Sequence, residues 1–161
     1  MLKVVCIVLV AITLGLALAH ALELPGKLRL TREQYTVVQT IYYPGFTVGG
    51  FAELAGLVAV LWLVYLMRAQ PIRLPLAAAS FIALLGVHAT YWIYTHPVNR
   101  FWLRDAQLSQ AGTAFFGSRN GNPQSAAAAW LAYRSRWERS HIVRAVLALL
   151  SLICLSVAVA M

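Results

Sequence analysis

Ionisable side chains with the capacity for chemistry occur in this sequence inside or beside long apolar stretches. They are His20, Glu53, His88, His96, His141 and Arg144. Imidazole and carboxylate groups transfer protons near neutral pH, and a guanidinium stabilises negative charge that develops during a reaction. Imidazoles are also ligands for transition metals and haem iron. The set therefore predicts either proton-transfer chemistry at a stabilised oxyanion or a metal or haem site.

Some of these groups recur at helical spacing together with tryptophans. His88, Trp92 and His96 are four residues apart, which places them on one face of a helix. A second stripe advances by four or three residues through Trp130, Arg134, Trp137, His141 and Arg144. Such a stripe faces one neighbouring helix or one cavity. We expect the pocket of a flat, hydrophobic molecule to be lined by Trp92, Trp130 and Trp137.

The elements that must carry these residues are transmembrane helices. Of the 161 residues, 61% are hydrophobic and 11% are charged, whereas soluble domains carry about 25% charged residues. A helix that crosses the hydrocarbon core needs about 20 mainly apolar residues, and four stretches qualify. The sequence predicts an all-α, polytopic membrane protein, a four-transmembrane-helix bundle in one domain. The expected spans are about 4–22, 46–67, 74–94 and 142–161.

The first stretch has a second interpretation. Lys3, the apolar run after it and Ala19-His20-Ala21 together resemble a cleavable secretory signal. The run is long for a signal core, and its removal would leave three spanning helices. We therefore expect the first helix to be retained.

Two connections between the spans predict short interfacial helices. In loop one, Thr31 and Gln34 have the spacing of a capping box. The helix that follows carries its apolar residues at helical spacing, namely Tyr35, Val38, Ile41 and Tyr42. In loop three, Asn99–Gln110 mixes aromatic and charged residues in the same way. A loop from Gly117 then leads to Pro123, the expected first residue of a final helix that extends beyond the bilayer.

The up-and-down order of the four spans places all six ionisable groups in one half of the membrane. Helices one and three end on that side, and helices two and four begin there. Charges inside a membrane normally face the bundle interior and pair with one another. Glu53 and Arg144 are the expected pair, because each alone would be an uncompensated charge in apolar surroundings.

Each of these side chains also has a purely structural interpretation. His20 alone is typical of the membrane interface, and Trp92 with the aromatic residues around it fits an interfacial belt. Glu53 and Arg144 can form a pair that only holds helices together. His88 is the hardest to explain in this way, because it lies well inside the third span.

Two short segments carry a resemblance to a known family. His96–Arg100 contains Pro-x-Asn, and Trp137–Arg144 contains Trp-x-x-x-His-x-x-Arg. They resemble the segments after the third helix and at the entry to the fourth in the anthrone-oxygenase-like family of small four-helix membrane proteins. The matching residues are Pro97, Asn99, Trp137, His141 and Arg144. In the first half of the chain the resemblance rests on the number and spacing of the helices.

The resemblance implies an activity for which the chain has suitable groups. Most members of the family have no assigned activity, and its namesakes are similar to cofactor-free oxygenases that convert anthrones to anthraquinones. Such a reaction needs a base that forms a substrate carbanion and a site that stabilises the resulting oxyanion. On this resemblance His141 or His88 is the expected base, and Arg144 with Asn99 is the expected stabiliser.

Three functions from different classes follow from these residues. The first is a membrane enzyme that oxidises a lipophilic aromatic substrate without a cofactor, with catalytic candidates His88, His141, Arg144, Asn99 and Glu53. The second is a redox protein in which haem b or a transition metal binds His20, His88, His96 or His141. The third is a non-catalytic membrane subunit or a small transporter.

The net charge of +8 reflects membrane topology and not nucleic-acid binding, because the basic residues lie between uncharged stretches. Lys3, Arg68 and Arg73 are on one side. Loops one and three hold the larger set, namely Lys27, Arg29, Arg32, Arg100, Arg104, Arg119, Arg134, Arg136 and Arg139. The positive-inside rule predicts both termini outside the cell membrane and the polar site on its cytoplasmic side. The expected partners are lipids and a lipophilic small molecule, and the sequence permits a homo-oligomer.

Overall fold

A computed structural model of the protein describes residues 1–42, 44–102 and 123–161, which form helices joined by turns. The elements in order are α1 (Leu2–Lys27), α2 (Arg32–Ile41), α3 (Gly45–Leu66), α4 (Arg73–Thr90), a π-helical turn (Tyr91–Thr95), α5 (His96–Trp102) and α6 (Pro123–Ala160). Four helical segments are long and apolar enough to cross a membrane: Leu2–Lys27, Gly45–Leu66, Arg73–Asn99 and Trp130–Ala160. The predicted all-α fold with four membrane-spanning helices is confirmed.

Of the two short helices predicted in the loops, the first is present, and the second lies largely outside the described residues. The capping box of loop one is present, because Thr31 accepts a hydrogen bond from the Gln34 backbone and Gln34 accepts one from the Thr31 backbone. It opens α2, in which Tyr35 is buried and Ile41 is exposed, and Tyr42 directly after the helix is also buried. In loop three, α5 covers the start of the predicted segment, and residues 103–122, with the predicted loop from Gly117, lie outside the described residues.

The membrane half opposite the ionisable groups is held by apolar packing. Buried side chains from each spanning helix meet in one core, for example Val10 of α1, Val60 of α3, Leu84 of α4 and Leu155 of α6. The outward faces remain apolar, since Val58 is 71% exposed. Such faces suit contact with lipid, in which helix association depends on close packing rather than on the hydrophobic effect.

A pair of serines supplies a polar contact in the α4–α6 interface. The Ser151 hydroxyl donates to the Ser80 carbonyl at 2.9 Å, so the Ser80 hydroxyl donates to Ser151 Oγ, also at 2.9 Å. Both side chains are fully buried. The contact fixes the register of α4 against α6 without placing a charge in the bilayer.

The π-helical turn marks where α4 changes into α5. Pro97 has no N–H and crowds the carbonyl four residues before it, which is that of Ile93. The Ile93 carbonyl instead accepts a hydrogen bond of 2.6 Å from Arg136 Nη2 of α6. Insertions of π-helix occur often at functional sites, because they rotate the residues that follow. Here the turn aims Tyr91, Thr95 and Asn99 towards the bundle interior, where all three are buried.

We expect Ser151→Ala to lower the free energy of unfolding by about 0.6–1.7 kcal/mol, the range for hydrogen bonds between membrane helices. Unfolding in mixed detergent micelles measures this change. Ser156→Ala is the matched control, because Ser156 is exposed on the same helix. Equal losses in the two variants would contradict the role given to the serine pair.

Candidate functional site

A cavity of about 50 Å³ lies at the end of the bundle where α1 ends and α3 begins. This space holds on the order of three to five water-sized molecules. The cavity is lined by Thr13, Leu16, His20, Gln39, Tyr42, Phe46, Gly49, Gly50, Glu53, Tyr91, Thr95, Asn99, Trp137, His141 and Arg144. Four of the six ionisable groups singled out in the sequence are therefore on its wall.

Glu53 supplies the carboxylate of this wall and is 6% exposed. Its Oε2 accepts a hydrogen bond of 2.7 Å from Arg144 Nη2, and its Oε1 lies 2.8 Å from His88 Nδ1. Trp92 Nε1 donates to His88 Nε2 at 3.0 Å, so His88 Nδ1 carries the proton and donates to Glu53. The predicted pair of Glu53 and Arg144 is confirmed, and His88 stands directly behind the carboxylate.

Two imidazoles form the opposite part of the wall. The rings of His20 and His141 pack with centroids 4.1 Å apart, and the Trp137 ring lies 4.2 Å from that of His141. Arg144 Nη1 is 3.5 Å from His141 Nδ1. Because a guanidinium can only donate, the favoured tautomer of His141 accepts at Nδ1 and carries its proton on Nε2.

Three buried nitrogen atoms of cavity-lining side chains have no hydrogen-bond partner among the described residues. They are Gln39 Nε2, His141 Nε2 and Arg144 Nε. All three are N–H donors when His141 has the tautomer given above. A buried donor without a partner destabilises a protein by about 1–3 kcal/mol. Their presence around one cavity indicates a site suited to a ligand that carries acceptor atoms, such as a ketone or an oxyanion.

The two segments that carried the family resemblance meet beside this cavity. Trp137 Nε1 donates to Asn99 Oδ1 at 2.8 Å. The Ser140 hydroxyl donates to the Trp137 carbonyl at 2.6 Å, so the Thr95 hydroxyl donates to Ser140 at 2.8 Å. These contacts lock α5 and the π-helical turn against α6. Asn99 is consequently 4% exposed, and its amide holds the Trp137 indole at the cavity wall.

A family model confirms the resemblance. The model described as anthrone oxygenase matches residues 38–154. The chain belongs to the anthrone oxygenase family. The matched range contains Glu53, His88 and both segments above, whereas His20 and the rest of α1 lie outside it. No curated protein and no solved structure matches the chain.

The tryptophans that the sequence predicted for the site lie around the cavity at different depths in this member of the anthrone oxygenase family. Trp137 is on the cavity wall. Trp92 is 48% exposed and lies against buried His96, with ring centroids 4.6 Å apart and the rings tilted. Trp130 is half-buried beside Tyr35 of α2. The wall position next to Trp92 in sequence is taken by Tyr91, which the sequence did not single out.

A second charged cluster, which sequence reasoning missed, lies between α1, α2 and α6. Lys27 was expected in a loop, but it ends α1 and is 3% exposed. Its Nζ lies 2.8 Å from Glu23 Oε2, 3.4 Å from His20 Nδ1 and 4.0 Å from Glu138 Oε1. In the sequence, the four-residue spacing of Glu23 and Lys27 was the one indication that they form an ion pair on a helix. These carboxylates explain how a lysine can be buried here.

Tyrosine hydroxyls connect this cluster to α2. Tyr35 donates to Glu138 Oε1 at 2.7 Å, and Tyr42 donates to Glu23. Burial is the main cause that raises the pKa of both tyrosines above its usual value, and the adjacent carboxylates raise it further. Both phenols therefore keep the proton they donate. Because Gln39 and Tyr42 line the cavity, the contacts that hold α2 also complete the cavity wall.

The side of the cavity between α1 and α3 is closed by one leucine. A Cβ at Gly49 would lie 2.5 Å from Leu16 Cδ1, so the glycine is what permits this close packing. Leu16, Gly49 and Gly50 are each only half-buried, although all three line the cavity. This part of the wall is therefore apolar and partly exposed on the outside of the bundle.

The predicted metal ligands do not converge within the described part of the chain, where no three His, Cys, Asp or Glu side chains form a group suited to a metal ion. His20 and His141 are adjacent on the wall, whereas His88 bonds Glu53 and His96 lies against Trp92 and Tyr91. Metal or haem binding stays a prediction from the residue types.

We expect Tyr35→Phe to loosen α2, because Glu138 loses its hydroxyl donor and its Oε2 already has no partner among the described residues. A hydrogen bond to a charged group contributes about 1.5–3 kcal/mol, so amide exchange in Arg32–Ile41 should accelerate more than tenfold. Hydrogen-exchange mass spectrometry measures this. Tyr65→Phe is the control, because Tyr65 is 52% exposed. Unchanged exchange in α2 would contradict the proposed clamp.

Proposed function

We propose that this protein is a membrane oxygenase that uses no cofactor and oxidises the benzylic carbon of a lipophilic, anthrone-like ketone to a second ketone. The observation that carries the proposal is the cavity itself. It combines the Glu53 carboxylate, in largely apolar surroundings, with one nitrogen each of Gln39, His141 and Arg144 that has no partner among the described residues. A base and a set of oxyanion donors are the two parts that carbanion formation beside a carbonyl requires.

The hydrogen-bond directions favour Glu53 as the base, in place of the histidines expected from the sequence. His88 uses Nδ1 to donate to Glu53 and Nε2 to accept from Trp92, so it has no free lone pair. His141 carries a proton on the nitrogen that lacks a partner. The Glu53 oxygens each accept one hydrogen bond and retain a further lone pair. His88 and Arg144 then act as positioning residues for the carboxylate.

His141 and Arg144 are the groups suited to the substrate oxygen. His141 Nε2 and Arg144 Nε are buried donors for which the described part of the chain supplies no acceptor. A negative oxygen in a low-dielectric site benefits most from donors that are already fixed. Trp137 lies against the His141 ring and is held by Asn99, so the imidazole has little freedom to turn away. In this proposal Asn99 orients the aromatic wall and stabilises the oxyanion only indirectly.

The reaction balances with molecular oxygen as the second substrate. Glu53 takes one benzylic proton, and the electron pair of that C–H bond moves onto the carbonyl oxygen. The carbanion transfers one electron to O2, and the resulting radical and superoxide combine to form a C–O bond. Protonated Glu53 returns its proton to the peroxide. Loss of the second benzylic proton then breaks the O–O bond, which gives the new ketone and one molecule of water.

Substrate entry requires the cavity to widen, because a ketone of three fused rings exceeds about 50 Å³. Leu16 and Gly49 are half-buried and form an apolar part of the lining between α1 and α3. A molecule dissolved in the bilayer would reach the cavity there without crossing water. This route agrees with a lipophilic substrate.

We expect the protein in lipid nanodiscs to accelerate O2 uptake and anthraquinone formation from an anthrone above the rate of empty nanodiscs. Glu53→Gln should lower kcat at least a hundredfold, since general base catalysis contributes about 10²–10⁴-fold. An oxygen electrode and the product's absorption spectrum measure both reactions. A wild-type rate equal to that of empty nanodiscs would overturn the proposed function.

Two control variants distinguish the loss of a catalytic base from a loss of folded structure. Glu33→Gln removes an exposed carboxylate on α2 and should leave the rate unchanged. Glu53→Asp keeps the charge but withdraws it by one methylene, so it should recover part of the rate. Quenching of the tryptophan fluorescence by anthraquinone, with Trp137 as the tryptophan on the cavity wall, shows whether each variant still binds the ring system. If Glu53→Gln binds and turns over normally, the base is another residue. A rate that falls on treatment with a chelator would contradict the cofactor-free chemistry.

We also propose that the cavity lies on the cytoplasmic side. The buried Lys27 no longer counts as a loop charge, but Arg29, Arg32, Arg136 and Arg139 remain exposed on this side. Both termini are then outside. In a bacterial host, alkaline phosphatase fused after Met161 should be active and a green fluorescent protein dark. The opposite pattern would reverse the orientation.

A further inference from the structure

A surface groove of about 680 Å³ lies between α6 and the π-helical turn, apart from the cavity described above. It is lined by Thr90, Tyr94, Ala132, Ser135, Arg136, Arg139, Ser140 and Val143. Among the described residues of this lining, the two arginines are the charged groups. The groove is therefore a cationic depression on a face that the four-helix arrangement leaves towards lipid.

Arg136 is held in place within this groove. Its Nη2 donates to the Ile93 carbonyl, which Pro97 leaves without its helical partner, and its guanidinium lies 5.4 Å from the centre of the Tyr94 ring. Among the residues that the structure describes, no other acceptor is hydrogen-bonded to its guanidinium, and the side chain is exposed. A guanidinium that is fixed before a ligand arrives loses less entropy on binding. Arg139, one turn further along α6, is exposed beside it.

The groove changes in polarity along the axis of α6. Ser135, Arg136 and Arg139 mark its polar end, and Val143, which is 47% exposed, marks its apolar end. From Arg136 to Val143 the helix rises about 10 Å towards the membrane centre. Tyr94 stands at the polar end with 49% of its surface exposed, as tyrosines do at headgroup level. The cations and hydroxyls at one end and the apolar wall at the other match the headgroup and the acyl chain of a phospholipid.

We propose that this groove binds one anionic phospholipid, with its phosphate between Arg136 and Arg139 and an acyl chain along Val143. The charge of the groove favours an anionic headgroup over a zwitterionic one. The apolar end favours a lipid over a free phosphate ion. The site is independent of the proposed oxygenase activity, because none of its lining residues lines the cavity.

Native mass spectrometry of the detergent-solubilised protein, titrated with phosphatidylglycerol or phosphatidylcholine, tests the proposal. We expect one tightly retained phosphatidylglycerol and weaker retention of phosphatidylcholine. Replacing both arginines (R136Q with R139Q) should weaken retention of phosphatidylglycerol about thirtyfold, and Arg139→Gln alone about fivefold. The single variant leaves the contact of Arg136 with Ile93 intact, so it reports on binding even if the double variant unfolds.

The control removes two arginines from the other membrane side (R68Q with R73Q), which changes the net charge equally. This variant should retain phosphatidylglycerol as the wild type does. Equal weakening in the control would mean general charge attraction and would overturn the site. Equal retention of phosphatidylcholine, or release of the lipid by inorganic phosphate, would overturn the assignment to an anionic lipid.

Discussion

The structure depends on one buried carboxylate that has to be compensated from other helices. A lone charge in the bilayer interior is expensive, and the Glu53 side chain on α3 is only 6% exposed, so other side chains have to offset its charge. Arg144 of α6 and His88 of α4 supply the two donors, at 2.7 Å and 2.8 Å. A single group thus determines which faces of three helices meet. Deleting either partner would leave a charge or a donor unmatched, whereas apolar packing elsewhere tolerates substitutions of similar volume.

The need to compensate a buried charge also determines where α1 and α2 lie. Lys27 is buried because Glu23 lies one turn before it and Glu138 approaches from α6. Glu138 in turn needs the hydroxyl of Tyr35, which brings α2 over the end of the bundle. The cavity is the space between these two charged clusters. His20 joins them, since its ring contacts His141 on one side and its Nδ1 lies 3.4 Å from Lys27 on the other.

The membrane spans and the Glu53–Arg144 pair could be predicted from the sequence, because in each case one physical rule left few alternatives. Bilayer thickness and hydropathy specify the spans, and charge compensation leaves Arg144 as the partner of Glu53. The contact of Tyr35 with Glu138 could not be predicted, because it joins residues 103 positions apart and needs the orientation of α2. Trp92 was expected in the pocket on α-helical spacing. Trp92 does share a face with His88 and His96, as the spacing predicted, but these three residues do not line the cavity, whereas Tyr91 does.

The hydrogen-bond donors around Glu53 and Arg144 distinguish a purely structural ion pair from a functional site. A pair retained only for stability gains from hydrogen-bonding every donor around it, as Ser80 and Ser151 do deeper in the bundle. Around Glu53 the opposite holds, because Gln39, His141 and Arg144 each present a buried nitrogen without a partner among the described residues. A buried donor left without any partner costs about 1–3 kcal/mol, so a ligand with acceptor atoms in the cavity would stabilise the fold. Donors left open beside a fixed carboxylate are those that a ketone becoming an oxyanion would satisfy.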